Sequence, residues 1–156
     1  HEDLADPKSD DPIARQSTRI TAVATRNGQS TYDLRDYRKI FNVPDLPAEE
    51  ALFPMFAVTD AKEWNDPHVQ ELMEDASPIN HLTKDDAPVY MSYTRGNLFV
   101  NRETKSGVWV HHLKLGLHLQ KAMKKLGMEC SVVSPAHPET RYGSFEAFLI
   151  EKLTNG

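Results

Sequence analysis

Cysteine is nearly missing from this chain: Cys130 is the one thiol in 156 residues. A lone cysteine excludes an internal disulfide framework and a thiolate zinc cluster, since both need several. Long hydrophobic runs are missing as well. No stretch reaches the roughly 18 apolar residues a membrane-spanning helix needs, and no span is expected. The opening HEDLADPKSDD is acidic and polar, without the basic start and apolar middle of a secretory signal. These features favour a soluble protein of the cytoplasm. The first residue is His1 rather than Met, so the natural start is expected upstream or removed. Positive charge is short too: 18 Lys and Arg stand against 23 Asp and Glu, for a net charge of −5. Without a basic stripe, nucleic acid is not an expected partner.

Glycine is scarce (7) beside proline (10), and no Gly/Ser linker, repeat or low-complexity tract divides the chain. One domain over residues 1–156 is expected. With 39% hydrophobic and 26% charged residues, it has the balance of an ordinary globular piece with one core.

The prolines mark the elements. Asp11-Pro12 predicts a helical turn over 12–17. Arg19 to Thr25 is β-branched and apolar, stopped by Asn27-Gly28, and predicts a buried strand. Asp33 caps a helical run in which Leu34, Tyr37, Ile40 and Phe41 share a face. Residues 42–75 read as an irregular, apolar, lid-like insertion that holds Phe53, Phe56 and Trp64. A short helix over 46–53 and a second after Asp66-Pro67 lie within it. Ser77-Pro78 opens a turn, and Pro88 to Thr94 is the best strand in the sequence. Val108 to Leu126 predicts the longest helix, with Gly127 as its C-cap. Met128 to Ser134 predicts a third strand, and Ser144 caps a last helix. Strands separated by helices imply a parallel sheet with right-handed crossovers, and continuous apolar strands imply cover on both faces. The expected fold class is α/β, three-layered, with a mostly parallel sheet and helices on both faces. Three strands fit half of such a sheet better than a whole one.

Several short motifs recur in a telling order: Ser77-Pro78-Ile79, then Asp85-Asp86-Ala87-Pro88-Val89, then His111-His112 opening a helix, then Leu126-Gly127-Met128-Glu129-Cys130. The opening from His1 to Thr25 is a further match. In this order they resemble the C-terminal half of α/β-hydrolase-fold esterases and lipases, the branch of acetyl esterases and feruloyl-esterase-like enzymes. The resemblance covers most of the chain and is loosest over 42–75. It implies a serine carboxylic ester hydrolase acting on a small-molecule ester. The family's G-x-S-x-G nucleophile turn does not occur here, and the order of motifs places it upstream of His1. The chain alone is therefore expected to be inactive, with its partner either that N-terminal half or a second copy. The alternative is a degenerate, non-catalytic binding or assembly module that dimerises.

The resemblance gives the catalytic histidine to His137, after the third strand, where an α/β crevice opens. The acid position falls on Asn97, a departure from the family's aspartate. An amide orients an imidazole but does not stabilise imidazolium as a carboxylate does. Glu103 is the one carboxylate in that loop and the candidate substitute. His111 and His112, at a helix start near the strand ends, are candidates for lining a substrate pocket. As neighbours on a helix they diverge by about 100° and cannot share a metal. His118 reads as a surface residue. Asp3, Asp6, Asp10 and Asp11 lack the glycine turn and closing glutamate of a calcium loop. No metal or cofactor is expected.

Overall fold

Three strands form one parallel sheet in the order β1 (Val23–Arg26), β2 (Val89–Ser92), β3 (Cys130–Val133). The computed structural model describes residues 3–138 and 141–154. The register is Val23 with Val89 and Val89 with Cys130. Side chains alternate across β2, as extended backbone requires. Val89 and Met91, with Tyr93 just beyond, face one layer. There Val132 of β3 meets Leu113, Leu119 and Met123 of α4 (Leu113–Lys125). Tyr90 faces the other layer, against Phe148 of α5 (Phe145–Thr154) and Tyr142. The sheet thus has helical cover on both faces, an α/β arrangement as expected.

α1 (Leu34–Phe41) follows β1 and packs on α4 through Leu34, Tyr37 and Phe41, with Trp109 edge-on to Tyr37 at 4.9 Å. Asp33 caps it by accepting from the Arg35 backbone N–H, and Asn42 ends it in the left-handed region at φ 57°. Residues 50–56 and 61–65 are 3-10 turns, and α2 (Pro67–Ala76) follows with Asp66 as its cap. This segment has a core of its own, in which Phe56, Val58, Trp64, Val69 and Met73 are buried. The insertion is therefore self-packed, and its aromatic rings are core. Ser77 fastens it to the rest: its hydroxyl donates to Met73 O at 2.6 Å and accepts from Tyr32 N at 2.8 Å.

Three expectations shift. The first strand begins at Val23, and Arg19 leaves the sheet to pair with Asp85 at 2.7 Å. The long helix is broken into α3 (Ser106–Trp109) and α4. The break comes at His112, whose φ of −88° and ψ of 143° are those of a helix cap. His118 is half-buried, with Nδ1 3.4 Å from the buried Ser30 hydroxyl. It is not the surface residue its spacing suggested, because α1 lies alongside α4 and covers that side. No described helix is long and apolar enough to cross a membrane.

Candidate functional site

Parallel strands leave all their carboxyl ends on one edge, and the loops that follow them meet there. After β1, Asn27 turns the chain through the left-handed region at φ 52°, a conformation that asparagine tolerates better than most residues. Its backbone N–H donates to Ser92 O at 2.7 Å. Its Oδ1 accepts from the Thr94 backbone N–H at 3.0 Å and the Thr94 hydroxyl at 3.3 Å. One asparagine thus buckles the ends of β1 and β2 together. Past β3, Ser134 and His137 exchange backbone hydrogen bonds of 2.8 and 2.9 Å, closing a tight turn around Pro135 and Ala136. Gly96 backs onto that turn. A Cβ placed there would lie 3.1 Å from the Ala136 Cβ, so a side chain at 96 would press the two loops slightly apart.

The two adjacent histidines take different parts. His112 is 2% exposed. Its Nδ1 accepts from the Lys114 backbone N–H at 3.0 Å, and its Nε2–H donates to Leu98 O at 2.9 Å. Both ring nitrogens are committed inside the chain, and the ring packs edge-on to Phe41 at 5.1 Å. Burial holds its pKa below the ordinary imidazole range. His112 caps α4 and pins the loop after β2. His111 is exposed, with Nδ1 3.0 Å from the Asn27 carbonyl.

His137 is exposed at the mouth of the same edge. Its backbone is held in the turn, and its ring makes no hydrogen bond to the described residues. Asn97 and Glu103 are also exposed, and neither side chain bonds to a histidine among the described residues. The Glu103 loop is drawn toward the insertion by an ion pair of 3.3 Å between Arg102 and Asp45. The edge therefore gathers His111, His137, Asn27, Thr94 and Asn97, and among the described residues no carboxylate is bonded to either exposed ring. Beside it the 98–99 segment is apolar and exposed, Phe99 by 84%.

Asn27 was not singled out from the sequence as part of this edge. The signal that could have found it is the Asn-Gly pair at a strand end, where a left-handed turn is common. Among the described residues no group of three or more His, Cys, Asp or Glu is placed to hold a metal ion. Burial pushes the Cys130 thiol up to about 12, far from a reactive thiolate.

Hollows open on the surface of the described residues, two of them with contrasting linings. One, of about 520 Å³, is polar and lies between α1 and α2, where Arg35 bridges Asp33 and Glu74. The other, of about 560 Å³, is an apolar groove beside β1. Val23, Thr25, Val89 and Met91 form its floor, with Leu119 and Met123 as one wall. β1 pairs only with β2 among the described residues, so the groove opens onto a free strand edge. Compared with protein-family models, with curated proteins and with solved structures, the chain matches none.

Proposed function

We propose that this chain is the C-terminal portion of a serine carboxylic ester hydrolase of the α/β-hydrolase fold. The observation that carries the reading is the convergence of exposed histidines and strand-end loops on the carboxyl edge of a parallel sheet. Open α/β sheets bind their ligands at that edge. In this reading the serine and the oxyanion-hole amides come from upstream sequence. The free edge of β1 and the groove beside it support a continuation of the sheet on that side. The serine oxygen attacks the ester carbonyl, a histidine of this chain takes its proton, and backbone amides hold the developing oxyanion. The resemblance gives the histidine's part to His137.

The full-length gene product is expected to react covalently with a fluorophosphonate at one serine and to hydrolyse p-nitrophenyl acetate. The chain by itself is expected to do neither. A full-length product that is folded but unlabelled would sink the reading. A second reading, a binding or assembly module of hydrolase descent, is favoured by one observation. No carboxylate is bonded to His111 or His137 among the described residues, where a working triad holds one.

A further inference from the structure

We infer that His111, oriented by the Asn27 main-chain carbonyl, is the general base of this edge. The reaction assigned to it rests on the hydrolase reading above, whereas its geometry does not. A carbonyl oxygen only accepts hydrogen bonds. The 3.0 Å contact between Nδ1 and Asn27 O is therefore Nδ1–H donating, which fixes the neutral ring with its lone pair on Nε2. His111 is exposed, so that lone pair is open to a reactant. A catalytic base needs this division of labour: one nitrogen held, the other free.

The orienting oxygen is itself held. Asn27 is bonded through its backbone N–H to Ser92 and through Oδ1 to Thr94, so both β1 and β2 fix its position. His137 has no comparable support, since no described residue bonds its ring. His112 has both nitrogens engaged. The assignment also removes the need for an acid at Asn97 or Glu103, because the backbone carbonyl takes the orienting part.

In the reaction, Nε2 removes the serine hydroxyl proton as the serine oxygen bonds to the ester carbonyl carbon. The imidazolium keeps its Nδ1–H on Asn27 O and returns the Nε2 proton to the departing alkoxide as the C–O bond breaks. Water, deprotonated by the same nitrogen, then bonds to the acyl carbon, and the Nε2 proton passes to the serine oxygen as its bond to that carbon breaks, releasing the acid and restoring the serine hydroxyl. A neutral carbonyl stabilises imidazolium less than a carboxylate does, so a slower enzyme than one with a full triad is expected.

Two measurements test this. In the chain alone, nitrogen NMR of labelled imidazoles is expected to show neutral His111 as the Nδ1–H tautomer. His137 is expected to show the mixture of a free imidazole. His111 as Nε2–H, or as that same mixture, overturns the inference. In the full-length product, His111→Gln is expected to lower kcat about 100- to 10,000-fold, with KM and melting temperature little changed. Asn27→Gly keeps the left-handed turn, loses the Thr94 tie, and is expected to lower kcat by a smaller factor. A wild type that hydrolyses no ester overturns the hydrolase reading itself. An active wild type whose kcat survives His111→Gln but collapses in His137→Gln overturns only the assignment of His111.

Discussion

His112 shows how much one buried ring can do. It caps α4, holds the carbonyl of Leu98 and fills a space against Phe41. A helix cap contributes about 1 kcal/mol and a further internal hydrogen bond about as much. His112→Ala is therefore expected to destabilise the fold by about 2–3 kcal/mol, measured by urea unfolding. The ring is useful only when neutral, because the imidazolium has no acceptor for the Lys114 N–H. Burial accordingly lowers its pKa, and that of His118, below 6.5. The unfolded chain then binds protons that the folded chain refuses. Stability is complete above the unfolded pKa and falls as pH drops below it. The midpoint in urea should decline below about pH 6.5, and less steeply in His118→Gln. A flat profile down to pH 5 would show that neither ring is kept neutral by the fold. The same pair shows the limit of reading residues from spacing. His111 and His112 are both recognisable as helix-opening histidines near the strand ends. Which of them is buried depends on the rotation of α4's first turn, which the loop from Leu98 decides.

At the scale of the elements, backbone conformation makes two predictions of opposite sign. Ala57 closes the 3-10 turn over residues 50–56 at φ 54°. Its Cβ is crowded in that left-handed conformation, which costs about 1–2 kcal/mol. Ala57→Gly is expected to stabilise the protein by roughly 0.5–1 kcal/mol, seen as a higher melting temperature. An unchanged or lower value would show that the strain is absent. Gly116 is the reverse. A Cβ there would lie 2.4 Å from Tyr93 Cε2, and Tyr93 is buried with its hydroxyl donating to Gly28 O at 2.7 Å. Gly116→Ala is expected to cost about 1–3 kcal/mol although alanine favours helix. Equal stability would mean that the α4–sheet contact is loose.

The helices were legible wherever capping and periodicity agreed. Asp33 and Asp66 cap the helices expected after them, whereas Leu126 is the C-cap of α4 and Gly127 follows it with a positive φ of 75°. The third strand, which occupies Cys130–Val133 of the expected 128–134, was legible as a short apolar run ended by Pro135. The start of β1 and the break before α4 were not. Arg19 leaves the sheet for Asp85, 66 residues away in sequence, and His112 caps by reaching Leu98. Both outcomes depend on tertiary partners that no local pattern contains. At the candidate edge, the strand-end position of His137 was visible. The hold on His111 was not, because it depends on a main-chain carbonyl turned outward at Asn27.

At the scale of the whole molecule, the free edge of β1 is the dominant fact. A strand with unsatisfied backbone groups beside an apolar groove is a template for association. The rim residue Ile20 is 68% exposed. If the sheet continues into upstream sequence, that sequence covers both edge and groove in the full-length product. The chain alone then has to cover them with a second copy. Sedimentation velocity is therefore expected to show concentration-dependent self-association of the isolated chain, absent from the full-length product. Ile20→Lys supplies the control, because the position is exposed and the folded monomer should lose less than about 0.5 kcal/mol. Burying an ammonium against an apolar contact costs more than burying a neutral polar group, so dimerisation should weaken about tenfold or more. A chain that stays monomeric at every concentration would show that the edge protects itself, and the half-sheet reading would lose its main support. Association that persists in the full-length product, undisturbed by Ile20→Lys, would move the interface elsewhere. Together with phosphonate labelling, the measurement separates the two functional readings. A hydrolase half hides this edge within its own chain, whereas an assembly module presents it to a partner.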